Sequence, residues 1–164
     1  MIIHPPAVSE AAAVWVPPKA GQTYGIGVVI RNEPGVFMAG LSKKMDATWA
    51  DQGTQAADLY GMSEAILISQ QQEIDEIIIE GDLPNVLKIF KESRDVTSST
   101  GLRVTDMANE LRKFCSYEVA IVNRQGNRVA TRLAQHANLI DNVFVWQGQA
   151  PEFIMPLLIS DIRL

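Results

Sequence analysis

The residues of this chain best suited to chemistry are carboxylates placed where regular elements begin and end. Asp82 is the clearest. Ile77, Ile78 and Ile79 read as a short strand buried on both faces, because a strand exposed on one side would alternate with polar residues. Glu80, Gly81 and Asp82 end that strand, and Pro84 suits the first turn of a helix predicted over about residues 83–91. Asp82 therefore stands at the carboxyl edge of a sheet, where open α/β folds place their ligands. Two roles are open to it: a part in chemistry at that edge, or an N-cap that accepts backbone N–H groups. Near the start of the last predicted helix, Arg124, Asn127 and Arg128 are donors suited to a phosphate, or else a cap and a solvated face.

Other chemistries find less support. His4 lies in a proline-rich end with no catalytic partner, and His136 reads as a surface residue. The only cysteine, Cys115, excludes an internal disulfide and reads as packing at a helix end. No G-x-S-x-G stands behind a serine nucleophile.

Of the 164 residues, 47% are apolar and 20% charged, which is ordinary for one globular domain. The net charge of −5 argues at first against nucleic acid, but it is unevenly spread. From Lys88 to Arg132 nine basic residues face five acidic ones, a balance of +4 that leaves −9 elsewhere. A phosphate-binding surface beside a carboxylate cluster would look so, and so would two unrelated solvated helices. No apolar run approaches the roughly 20 residues of a membrane helix. The start, MIIHPPAVSE, lacks the basic region of a secretory signal, so the expected setting is intracellular, with nucleus and cytoplasm both open.

The elements that must position these residues follow from periodicity. A strand within 8–16 is interrupted by prolines at either side. GIGVVIRN (25–32) and 36–43 read as an antiparallel hairpin around the turn Asn32-Glu-Pro-Gly35. A helix over 55–70 carries Ala56, Leu59, Met62, Ile66 and Ser69 along one stripe, which leaves Glu64 on a solvated face. After the isoleucine strand come helices near 83–91 and 102–114, a strand at 117–122 and a helix at 125–140. The predicted architecture is a mixed α/β domain with an antiparallel start and later crossovers. Residues 1–144 are expected to form that domain. Residues 145–164, with the apolar stretch FIMPLLI, are expected to lie on it as a C-terminal extension.

Four local motifs in this order resemble the ribonuclease H superfamily. More narrowly, they resemble the plant ribonuclease H-like domains related to retrotransposon reverse transcriptases. GIGVVIRNEPG resembles that family's second strand and turn, and AADLYGMSEAI its first long helix with an Ala-Glu pair. IIIEGDLPNV resembles the strand-to-helix junction written Glu-Ser-Asp-Ser. NRQGNRVATRLAQHA resembles the last helix, Arg-x-Gly-Asn-x-x-Ala-Asp-x-Leu-Ala. The resemblance covers about residues 7–140, and the tail is similar to the group's C-terminal extension.

The resemblance implies a ribonuclease H-like fold: a mixed central sheet with an antiparallel N-terminal hairpin, flanked by helices. It implies hydrolysis of the RNA strand of an RNA–DNA hybrid by two Mg²⁺ ions about 3.5–4 Å apart, held by four acids, with Mn²⁺ as a substitute. Asp82 matches the third acid. Asp58 takes the place of the second, one methylene shorter; otherwise it is an acid favoured by the dipole in a helix's first turn. Glu10 is the candidate for the first, from Val8-Ser-Glu10, against a surface acid. Thr131 stands where the fourth acid is expected, and a neutral hydroxyl binds Mg²⁺ more weakly than a carboxylate. The implied function is thus a ribonuclease H-like nucleic-acid-binding domain, a hybrid endonuclease weakened by a degenerate acidic site. The alternative is an inactive nucleic-acid-binding or protein-interaction module on the same fold. The implied partner is an RNA–DNA hybrid or a similar A-form duplex; the sequence leaves the oligomeric state open, with a monomer as the default.

Overall fold

A computed structural model describes residues 9–16, 25–32, 35–44, 54–81, 99–121, 128–140 and 143–161. The helix expected over 83–91 lies outside these residues. Six strands form one sheet: β1 (Ser9–Val16), β2 (Gly25–Arg31), β3 (Phe37–Lys44), β4 (Glu76–Gly81), β5 (Ser116–Ile121) and β6 (Val143–Gln147). The helices are α1 (Thr54–Gln71), α2 (Ser99–Leu111), α3 (Arg128–His136) and α4 (Met155–Asp161). Single 3₁₀ turns at Ala137–Leu139 and Glu152–Ile154 follow α3 and precede α4. The spatial order is β5-β4-β1-β2-β3-β6. The pairs β1–β2, β2–β3 and β3–β6 are antiparallel, whereas β4 runs parallel to both β1 and β5.

The β2–β3 hairpin forms as the sequence predicts. The Gly35 N–H donates to the Asn32 carbonyl at 2.9 Å, closing the turn, and the Asn32 side-chain oxygen accepts from the Val36 N–H at 2.9 Å. Gly35 has φ +94°, a conformation that costs glycine nothing.

Every residue of β2 is buried because helices cover both faces of the strand. Ile26, Val28 and Ile30 pack with Leu59, Met62 and Ile66 of α1 and with Met107 and Leu111 of α2. Val29 faces the other way, with Val129 and Leu133 of α3 and Leu158 of α4. Each such fully buried aliphatic side chain contributes about 1.5–3 kcal/mol relative to exposure. On that second face the helix lies almost on the strand: a Cβ at Gly25 or Gly27 would overlap the backbone of Ala134 or Ala130. The buried Ser42 hydroxyl of β3 donates to the Leu133 carbonyl at 2.7 Å, a second tie to α3.

Three readings change. Ile77 and Ile79 are buried toward α1, but Ile78 is only half-buried, so β4 is not covered equally on its two faces. Cys115 is exposed rather than packed. Glu64 is not free in solvent: its Oε1 lies 2.7 Å from the Lys43 ammonium of β3. Burial alone would lower the Lys43 pKa, but bonds to Glu64 and Tyr60 outweigh it and hold the ammonium above its ordinary range.

The last stretch of chain is more regular than a strap. Residues 143–147 form a sixth strand on the free edge of β3, spanning the expected boundary at 144/145. FIMPLLI forms a 3₁₀ turn and α4, with Pro156 in the first turn, where its missing N–H is harmless. Ile154 and Leu158 pack against α3. Among the described residues, no helix is long and apolar enough to cross a membrane.

Helix α1 ends in a Schellman arrangement, in which the Ile74 N–H bonds to the Ser69 carbonyl and the Glu73 N–H to that of Gln70. Glu73 adopts φ +56°, where a side chain is strained and glycine is not. Glu73→Gly is expected to raise stability by about 0.5–1 kcal/mol, read as an upward shift of the urea midpoint.

Candidate functional site

The parallel strands β1 and β4 point their carboxyl ends at one edge of the sheet, and α3 crosses that edge over β2. Two registers fix the levels. Across β1–β4, Glu10 is level with Ile78, Ala11 with Ile79 and Ala12 with Glu80. Across β1–β2, Val14 is opposite Gly27 and Glu10 opposite Arg31. Because Ala130 of α3 lies over Gly27, the first turns of α3 are level with Val14 of β1.

These levels set Glu10 apart. It is the second residue of β1, level with a position three residues before β4 ends at Gly81. Along β2 it is four residues from Gly27, about 13 Å at the usual rise of a strand. The β1 residues level with the end of β4 and with α3 are Ala12, Ala13 and Val14, all aliphatic. Glu10 is instead directly opposite Arg31, a buried cation in an otherwise apolar strand.

Asp82, Arg124 and Asn127 lie outside the described residues; Gly81, the last residue of β4, immediately precedes Asp82 in the chain. Asp58 is the fifth residue of α1, and the first turn of that helix holds no acid. The dipole reading therefore loses force, since the effect fades beyond the first turn. Thr131 is half-buried on the second turn of α3, next to Ala130. Arg128 opens α3, exposed, and its Nη2 donates to the Ser160 hydroxyl of α4 at 2.9 Å. Among the described residues, no three His, Cys, Asp or Glu side chains gather to hold a metal ion.

Sequence reasoning missed a neighbouring feature. His136, read as a surface residue, is half-buried and stacked on Phe153 with centroids 4.3 Å apart. Trp146 meets Phe153 edge-on at 5.9 Å and Phe144 at 4.6 Å. Burial and the nearby Arg132 charge both push the His136 pKa down, which favours the neutral ring. The usable signal was the aromatic content of 144–153, scattered over elements that only the fold unites.

Residues 11–137 match the reverse transcriptase-like family; the match opens one residue after Glu10. Nothing among curated proteins matches the chain. Several solved structures share its fold. RNase H1 from the halophilic archaeon Halobacterium salinarum NRC-1 superposes with a TM-score of 0.63 at 18% identity, over 80% of this chain and 96% of its own. LC11-RNase H1, solved in complex with an RNA/DNA hybrid, gives 0.61 at 17% identity, over 80% and 96%. LC9-RNase H1, a type 1 RNase H with the type 2 active-site motif, gives 0.64 at 14% identity, over 99% and 88%. With more than half its length matched and this strand order, the chain belongs to the reverse transcriptase-like family and has the ribonuclease H fold.

Proposed function

We propose that this chain is a nucleic-acid-binding ribonuclease H-like domain that engages an RNA–DNA hybrid or a similar A-form duplex and cleaves it weakly or not at all. The observation that carries this reading is the register of β1. The strand brings Ala12, Ala13 and Val14, not Glu10, level with the end of β4 and the start of α3. Thr131 adds a neutral hydroxyl where the last helix of the family has an acid.

This donor set does not fit two Mg²⁺ ions, which need carboxylates to bind and bridge them. Asp58 and Asp82 are the family acids left. Two carboxylates suit at most one hydrated Mg²⁺ beside a phosphate, or Mn²⁺ in its place. Binding itself needs no such ions. Arg124, Asn127 and Arg128 are the proposed phosphate contacts, and a hybrid is read by shape, phosphates and 2′-hydroxyls. LC11-RNase H1 holding a hybrid on the same fold supports this choice of partner. The second reading, a two-metal endonuclease that cuts the RNA strand of the hybrid, is favoured by the motif order that gives Asp58 and Asp82 family positions.

One experiment separates the two. The protein is titrated into labelled hybrid and duplex DNA of one sequence, and the same hybrid is then incubated with Mg²⁺ or Mn²⁺. The expected result is preferential hybrid binding with little cleavage, and a gain of cleavage in Thr131→Asp. Brisk wild-type cleavage abolished by Asp82→Asn would establish the active enzyme instead. Absence of hybrid binding would reject both.

A further inference from the structure

Beyond duplex binding, we infer that the notch between α3 and the 3₁₀ turn at Glu152–Ile154 is a slot for one unpaired nucleotide. Its walls and rim are Arg132, Gln135, His136, Leu139 and Phe153, around a cavity of about 250 Å³. The lining is mainly apolar, with a guanidinium and a carboxamide at the rim. That combination suits a planar heteroaromatic ring carrying a phosphate: rings and aliphatic carbons take its faces, the amide its hydrogen-bonding edge, and the cation its charge.

Size narrows the occupant. Sites for drug-sized ligands run from about 300 to 1,000 Å³, so this slot takes one ring system and not a stacked pair. Its walls are pre-set, because His136 and Phe153 are already stacked at 4.3 Å and Phe153 is braced edge-on by Trp146. Leu139 is 79% exposed, an apolar side chain left in water at the rim. Glu152, exposed and next to Phe153, is the nearest acid in sequence and the element against an anionic ligand.

Position supplies the link to function. Arg128, Arg132 and His136 recur every fourth residue along α3, so one ridge of the helix runs from the proposed phosphate contacts to the slot. A strand leaving the duplex along that ridge would meet Arg132 and then the rings. This assignment rests on the nucleic-acid reading above and adds a subsite for single-stranded extensions.

The test compares three labelled probes by fluorescence anisotropy: a blunt RNA–DNA hybrid, the same hybrid with a five-nucleotide single-stranded extension, and a single-stranded octamer alone. The variants Leu139→Glu and Arg132→Ala change exposed residues and leave the Phe153 packing intact. Wild type is expected to hold the extended hybrid about tenfold more tightly than the blunt one, the scale of one stacked base. Leu139→Glu should remove that gain while blunt-hybrid affinity stays the same. Equal affinity of wild type for blunt and extended hybrids overturns the slot alone. If the blunt hybrid does not bind while the octamer binds and loses affinity in Leu139→Glu, the slot stands and the duplex reading falls. Binding of none of the three overturns both.

Discussion

Gly27→Ala is expected to cost about 3 kcal/mol or more and to lower the urea midpoint accordingly. A Cβ at this position would overlap the Ala130 carbonyl oxygen and the Ala134 amide nitrogen. Both are helix backbone, with no rotamer that could swing aside. Overpacking a core by a methyl usually costs about 1–3 kcal/mol because side chains adjust, and here only the whole of α3 can move. With total stabilities of about 5–15 kcal/mol for domains of this kind, one methyl group would remove a large share. Gly25→Ala should behave alike, since its Cβ would meet the Ala134 carbonyl. Gly40→Ala is the internal control. Its Cβ would lie 3.1 Å from the Phe37 ring, a side chain that can yield, so the loss should be clearly smaller. Equal losses at Gly27 and Gly40 would show that the close approach of α3 is not what these glycines serve.

Glu10→Gln is expected to lower stability by about 1–3 kcal/mol while leaving hybrid binding and any cleavage unchanged. Glu10 is the cross-strand partner of Arg31, which is 7% exposed. The register sets an acidic residue directly across from a buried cation, and opposite charges at such positions are worth about 0.2–1 kcal/mol in the open and more where one of them is buried. Glu10→Gln keeps the size, removes the charge and turns one acceptor oxygen into a donor, so thermal melts read the loss of the carboxylate as a whole. The opposite pattern, an unchanged melt with altered hybrid cleavage, would restore Glu10 as a site acid.

The fold was legible where local chemistry decides it. Asn32 and Gly35 announce a turn, the β-branched run at 28–30 announces a strand, and the heptad-like spacing of Leu59, Met62 and Ile66 marks a helix. What lies opposite those elements was not legible. Glu64 sits on the helix face that periodicity leaves to water, yet β3 brings Lys43 to it. Glu10 has the residue type for a first acid, but its level in the sheet depends on pairing with residues 21 and 68 positions away. Boundaries moved for a related reason: α2 begins at Ser99, and Phe114, placed on its stripe, is buried from the turn beyond its end. The strand β6 was assigned no element, and the expected boundary at 144/145 cut through it, because Val143–Trp146 does not alternate and its partner lies far back in the chain. The candidate site was legible as an ordered set of motifs, and Thr131 as its departure, because both are matters of residue type along the chain.

The pairing of β6 has a consequence for how the chain is made. Ala39 meets Gln147, so the edge of β3 stays open until synthesis has passed Gln147, more than a hundred residues later. During that interval a nascent chain offers an unpaired strand of Phe37, Ala39 and Leu41 to any neighbour, the kind of edge that seeds aggregation. The finished sheet moves the opening outward rather than removing it, since Val143, Phe144 and Val145 remain 44%, 51% and 41% exposed on the new edge. Residues 143–147 thus act as an intramolecular cover for the edge of β3, supplied long after the strand itself.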